Sequence, residues 1–189
     1  MKIALASDHA GFSEKERLKP LLNELGLEVA DLGTVSEASV DYPDYARKVA
    51  EEVANGRVDQ GLLVCGSGTG MAITANKTPG VRAAVAWSEE TARLARQHND
   101  ANVLALGART TPPGEIPKIV RAWFSTSFEG GRHADRVKKI EVSGSKFKVQ
   151  GSRLGLNCKG QTPKDKGQRS KIKDQRSKIK AQNHTTRQK

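Results

Sequence analysis

A thiol heads a run of glycines at Cys65-Gly66-Ser67-Gly68-Thr69-Gly70. Three glycines in five positions free the backbone to turn its N–H groups inward, and a following helix adds its positive N-terminal end. Such a loop cradles an anion, either a phosphate or a developing oxyanion. It is not a Walker loop, since no Gly-Lys-Ser/Thr follows, and it lacks the G-x-G-x-x-G spacing of a dinucleotide turn. A tight strand-to-helix turn needs the same glycines, so the weight falls on Cys65. A cysteine placed there feels a field that favours the thiolate, a nucleophile or a base; a small buried hydrophobe is the plain alternative.

Further groups of the right kind recur along the chain. His98, in Arg96-Gln97-His98-Asn99-Asp100, is either a cap on a helix C-terminus or a general acid/base near neutral pH. Asp8-His9 is a second carboxylate–imidazole pair, with helix capping by Asp8 as its plain reading. Arg132 and Arg136, four apart in Gly131-Arg132-His133-Ala134-Asp135-Arg136, share one helical face and can grip a phosphate bidentately or simply be solvated. Arg109 is one more cation, in Gly107-Ala108-Arg109.

Positioning these groups falls to a regular alternation of apolar runs and helical patterns. Strands are expected at Lys2–Ser7, Leu27–Leu32, Gln60–Val64, Val81–Ala86 and Asn102–Leu106. Helices are expected around Leu18–Leu25, then at Tyr42–Ala54, Met71–Lys77, Glu89–Gln97, Gly114–Phe124 and Arg132–Ile140. Near-continuous apolar strands separated by helices predict an α/β fold, a doubly wound, Rossmann-like three-layer sandwich around a five-stranded parallel sheet. Ligands in such sheets sit beyond the carboxyl ends of the strands. On that rule three segments form the site: Ser7–Gly11, Cys65–Gly70 and the stretch around His98-Asn99-Asp100.

Composition narrows the class. Hydrophobic residues make up 36% and aromatics 4%, and no apolar run approaches the roughly 20 residues of a membrane span. Two cysteines, Cys65 and Cys158, make neither a disulfide framework nor a metal-spaced cluster. A cytoplasmic protein without membrane attachment is expected. The net charge of +11 is unevenly spread: residues 1–142 carry 18 Lys and Arg against 19 Asp and Glu, and residues 143–189 carry 14 against 2. The division is an organised α/β domain over 1–142, the stretch that carries the candidate site, and a basic tail over 143–189. The tail repeats Gln168-Arg169-Ser170-Lys171-Ile172-Lys173 as Gln175-Arg176-Ser177-Lys178-Ile179-Lys180, and it is too poor in apolar residues to offset its ordering entropy. No aromatic interleaves its charges from Lys148 onward. It offers nucleic acid only weak electrostatic attraction, without a stacking platform.

Ser7-Asp8-His9-Ala10-Gly11, Asp41-Tyr42-Pro43-Asp44-Tyr45, the Cys65–Gly70 loop, Ala75-Asn76-Lys77, Arg96–Asp100 and Glu129-Gly130-Gly131-Arg132-His133 together resemble the ribose-5-phosphate isomerase B family, which also includes galactose-6-phosphate isomerase subunits. The resemblance covers roughly residues 1–142 and leaves the tail unmatched. It implies a metal-free aldose–ketose isomerase that interconverts ribose 5-phosphate and ribulose 5-phosphate through an enediolate, without a cofactor. Cys65 then corresponds to the base. Family members without this cysteine use a glutamate a few positions later; this chain has Thr69 and no acid nearby, which supports Cys65. Ser67 and the amides of Gly66, Gly68, Thr69 and Gly70 correspond to the groups that hold the enediolate oxygen. His98, assisted by Asp8, corresponds to the group that opens the sugar ring, and Asn99 to a sugar contact. His9, Arg109, Arg132 and Arg136 correspond to receivers of phosphate or hydroxyls. The resemblance further implies a homodimer, or a tetramer, with sites shared between subunits. A six-carbon substrate such as galactose or allose 6-phosphate, or a non-catalytic phosphosugar-binding module, are the competing readings.

Overall fold

The computed structural model describes residues 1–112 and 114–141; the expectations for the tail over 143–189 lie outside the described residues. Five strands, β1 (Lys2–Ser7), β2 (Glu28–Asp31), β3 (Gln60–Cys65), β4 (Ala83–Val85) and β5 (Val103–Gly107), pair in parallel in the order β2-β1-β3-β5-β4. Among the described residues six helices accompany them: α1 (Phe12–Glu24), α2 (Tyr42–Ala54), α3 (Thr69–Ala75), α4 (Glu89–Asn99), α5 (Glu115–Ser125) and α6 (Arg132–Ile140). The expected α/β sandwich is what forms.

Strand alternation divides the core in two. Ile3 and Leu5 of β1, with Leu62 and Val64 of β3, face Leu18 and Leu22 of α1, Ala92 of α4 and Ile119 and Trp123 of α5. The intervening residues Ala4, Ala6, Leu63 and Cys65 face Val49 and Ala50 of α2 and Met71 and Ala75 of α3. Both faces are covered, so the strands read as unbroken apolar runs. Trp123 is fully buried, and its indole N–H donates to Gln60 Oε1 at 2.7 Å, which satisfies the one polar atom it carries inward.

Apart from α1, which begins at Phe12, six residues before the first leucine of its pattern, element boundaries shift from the expected ones by a residue or two, and one shift bears on function. α4 starts at a capping box, in which Ser88 Oγ accepts the Thr91 amide and Thr91 Oγ1 accepts the Ser88 amide, worth about 1 kcal/mol. It then runs two residues past Gln97, so His98 and Asn99 occupy its last turn. Asp100 ends it in a left-handed conformation, φ 43°. Its carboxylate is clamped between Arg82 Nη2 at 3.0 Å and Arg96 Nη1 at 3.1 Å.

A second charged fastening lies under the opposite edge. The Lys15 ammonium is buried, and donates at 2.8 Å to both oxygens of Asp31 and to the Thr34 carbonyl. Burial raises the Asp31 pKa, but hydrogen bonds from Lys15, Lys19 and the Gly33 amide outweigh it and hold the carboxyl below its usual range. The Gly33-Thr34 segment that this pair secures exchanges backbone hydrogen bonds with Ser7, at 2.7 and 3.0 Å. It thereby fixes the end of β1 where Asp8 begins.

Candidate active site

Strand order decides where the chemistry can collect. From β1 the chain goes to β2 on one side, then returns to place β3 on the other, so the sheet has its switch point between β1 and β3. The loops after these two strands meet there. The Asp8 amide donates to the Val64 carbonyl at 3.2 Å, and the Asp8 carboxylate accepts the Gly11 amide at 2.9 Å. Arg109, two residues beyond β5, joins them, because its amide donates to the Gly66 carbonyl at 3.0 Å. His9 Nδ1 lies 3.3 Å from the Val40 amide. The same Nδ1 lies 3.3 Å from the Val40 carbonyl, so this one backbone residue fixes the ring whichever nitrogen carries its proton.

At the head of the glycine loop, Cys65 is 5% exposed, and its Sγ accepts the Gly68 amide at 3.1 Å. Gly68 sits at φ 77° as the cap of α3, and a Cβ there would lie 3.1 Å from the Leu106 backbone. Only glycine fits both demands. One expectation changes as a result: the Gly68 amide is engaged by sulfur, which leaves Ser67, Thr69 and the remaining loop amides to meet an oxyanion. Ser67 and Thr69 are both exposed. Tyr42, at the start of α2, lies so close that a Cβ on Gly70 would be 2.8 Å from its ring.

His98 and Asn99 are elsewhere. A helix in this fold runs antiparallel to the strands, so the last turn of α4 comes down beside the amino ends of β3, β4 and β5. Arg82, just before β4, donates to the Asn99 and Asp100 carbonyls at 3.1 and 2.9 Å, and the Gly61 amide at the start of β3 donates to Asn102. The carboxyl-edge rule therefore does not select the His98 segment, which precedes β5 rather than following it. β5 alone spans about 13 Å between the two edges. Within one chain Asp8 stands at the edge opposite His98, so it cannot assist that imidazole from its own chain.

A second cluster forms around His98. α6 packs on α4 and places the His133 ring against the His98 ring, with centroids 4.3 Å apart and planes within 4°. Glu129 Oε2 lies 3.9 Å from His98 Nε2 and 3.8 Å from His133 Nε2. Burial, then the charges of His98, Arg132 and Arg136, push the His133 pKa below the ordinary histidine value against the pull of Glu129. Arg132 and Arg136 thus act on this cluster; both are exposed. The sequence reading passed over Glu129 and His133 as members of the site. Their signal was the Glu-Gly-Gly-Arg-His stretch itself, in which Gly130 and Gly131 at φ 66° and 55° turn the chain into α6.

The candidate groups thus fall into two sets: Asp8, His9, Cys65, Gly66 to Gly70 and Arg109 at the carboxyl edge, and His98, Asn99, Arg132 and Arg136 at the amino edge. Neither Cys65 nor His98 lines the grooves of about 510 and 580 Å³ found among the described residues.

Residues 3–140 match the model of the ribose/galactose isomerase family. The chain belongs to that family. Its members include ribose-5-phosphate isomerase B of Escherichia coli, 49% identical over 139 residues that cover 74% of this chain and 93% of that protein. A solved structure of Clostridium thermocellum ribose-5-phosphate isomerase B superposes with a TM-score of 0.73 at 49% identity, covering 75% of this chain and 95% of that one. The type B ribose 5-phosphate isomerase of Trypanosoma brucei gives 0.72 at 48%, covering 74% and 96%. This member of the ribose/galactose isomerase family is an isomerase with a sugar phosphate as its substrate class. No helix among the described residues is long and apolar enough to cross a membrane.

Proposed function

We propose that the chain interconverts D-ribose 5-phosphate and D-ribulose 5-phosphate, in sites each built from two copies of the chain. One observation carries the reading: a thiol held by a backbone amide at the head of a glycine loop, with Asp8 and Arg109 tied by their amides to Val64 and Gly66 on either side of it, at the switch point of the sheet. Isomerisation needs a base beside C1 and C2, donors for the oxygen that gains charge, and a distant anchor for phosphate. The carboxyl edge supplies the first two. Cys65, as thiolate, takes the C2 proton of the open-chain aldose while charge moves onto O1. Ser67 and the free loop amides stabilise that charge, the O2 hydroxyl proton passes to O1, and the proton taken by Cys65 is delivered to C1 as C2 becomes the carbonyl. A positioned base contributes about 10²–10⁴-fold and an oxyanion donor about 10²–10³-fold.

Ribose 5-phosphate must first open its ring, which requires a proton for the ring oxygen. His98 is the group of suitable chemistry, with Asn99 to contact the sugar, yet it stands at the other edge. The reacting carbons and the ring oxygen of a pentose lie within a few bond lengths of each other, so one chain cannot serve both steps. A second copy that presents its amino edge to the first chain's carboxyl edge resolves this. Two-fold symmetry then makes two such sites. Asp8 assists the partner's imidazole, and phosphate is received by His9 and Arg109 of one chain and Arg132 and Arg136 of the other. Enzymes of this type need no cofactor or metal.

Incubation of the protein with ribulose 5-phosphate in D₂O tests the reading. Deuterium should appear at C1 together with ribose 5-phosphate, and kcat/KM should favour ribose 5-phosphate over allose and galactose 6-phosphates. Binding without exchange would leave a phosphosugar-binding module, and preference for a six-carbon phosphate would replace the substrate.

A further inference from the structure

The carboxylate beside His98 in its own chain is Glu129, and the way it is built in argues for a role. The Glu129 amide donates to the Gln97 carbonyl at 3.1 Å, which pins this loop residue next to the last turn of α4. Gly130 and Gly131 then reverse the chain, and the His133 amide closes the first turn on the Gly130 carbonyl at 3.0 Å. These bonds deliver two side chains to one place. A buried imidazole lies flat on His98, and a half-exposed carboxylate faces the Nε2 atoms of both rings.

We propose that Glu129 and His133 are positioning residues that hold the His98 imidazole in the orientation from which it opens the sugar ring; this rests on the aldose–ketose reading above. His98 is itself partly exposed, at 39% of its side chain, and a ring on a helix terminus has several rotamers open to it. Stacking removes most of them, because rotation about χ1 breaks a face-to-face contact with a ring that has no room to follow. The groups around His133 are His98 on α4, Glu129 on the preceding loop, and Arg132 and Arg136 on α6. Burial and the neighbouring charges, those of Arg132 and Arg136 among them, disfavour a proton on this ring, and its flat face stacks on His98. Glu129 supplies the counter-charge on the open side.

The same three side chains have ligand atoms within 4.8 Å of one another, and two histidines with a glutamate form a donor set that zinc accepts. Two features argue for a stack rather than a metal centre. Arg132 and Arg136 repel a dication as they repel a proton on His133. The near-parallel rings must also splay before both nitrogens can reach one ion.

Three variants of the full chain test the proposal: Glu129→Gln, His133→Phe and His133→Ala. The first readout needs no substrate. In the proton–carbon spectrum of the imidazoles, the ring protons of His98 should carry the shift that a stacked aromatic imposes. That shift should persist in His133→Phe and vanish in His133→Ala. For catalysis, Glu129→Gln and His133→Ala should lower kcat on ribose 5-phosphate by about 10- to 100-fold, with KM near wild type. Deuterium exchange at C1 of ribulose 5-phosphate, which needs no ring opening, should hold its rate, and His133→Phe should recover part of kcat. A rise in KM with kcat unchanged would reassign the pair to substrate binding, and parallel loss of exchange would remove the positioning role. Loss of wild-type activity on chelation would replace the stack with a metal. Glu129 is exposed, so its variant reports even where His133→Ala fails to fold. If the wild-type chain ignores ribose 5-phosphate, the substrate reading falls, and the His98 ring-proton shift alone upholds or removes the stack.

Discussion

The two edges of one parallel sheet carry different chemistry and are built by different means. At the carboxyl edge, backbone does most of the work. Glycines let amides approach one another, and the thiol, the Asp8 carboxylate and Arg109 are all tied by main-chain hydrogen bonds. At the amino edge side chains do it, through an arginine-clamped aspartate and a stacked histidine pair. A strand end with an adjacent switch point is a general anion site, whereas the amino edge of a doubly wound sheet has no such general property. Its cluster must be assembled residue by residue, and in the proposed shared site it acquires its use when a second copy brings it to a carboxyl edge.

Substitutions at the two edges should therefore separate the steps of the reaction. Cys65→Ala should have the largest effect, lowering both net isomerisation and C1 exchange by about 10⁴-fold, the upper range for a positioned base; NMR of ribulose 5-phosphate in D₂O reads both rates. His98→Asn should lower net conversion of ribose 5-phosphate by about 10²-fold while C1 exchange in the same tubes stays within a factor of about two. Equal losses in the two measurements would erase the distinction between the edges. Arg82→Ala frees the carbonyls of Asn99 and Asp100 and one side of the Asp100 clamp. It should cost about 10-fold in kcat, again with exchange spared.

The smallest effect belongs to the fastening under the carboxyl edge, and it is a matter of stability. The folded-state pKa of Asp31 is lowered, so its contribution is present in full above the unfolded carboxylate value of about 4 and is lost as pH falls through the depressed folded value. Asp31→Asn should cost about 1–3 kcal/mol at pH 7 and progressively less at pH 3, as denaturant unfolding at the two pH values will show. A cost that does not shrink with acid would mean that packing, rather than charge, secures Thr34.

Most of the architecture was legible in the sequence because burial on both faces makes apolar runs of strand length, and because the helix patterns are strongly periodic. The Cys65–Gly70 loop could be read for the same local reason, since thiol and cradle are contiguous. His98 was found by its chemistry but assigned to the wrong edge. Its segment lies before a strand rather than after one, and chain order states this only when the direction of the helix is followed. Glu129 and His133 were harder, because their role arises from α6 folding back on α4, a contact between elements some 30 residues apart that no local periodicity encodes. Arg82 stayed hidden for the same reason: its partners lie 17 and 18 residues away.

The shared site is tested most directly by pairing two inactive chains. Cys65→Ala and His98→Asn chains carrying different tags can be co-expressed and the mixed dimer isolated through both. If each site takes its thiol from one chain and its imidazole from the other, the mixed dimer holds one intact site and one doubly damaged one, and runs at about half the wild-type rate. If thiol and imidazole act within a single chain, every site carries one lesion, and the mixed dimer stays as inactive as its parents.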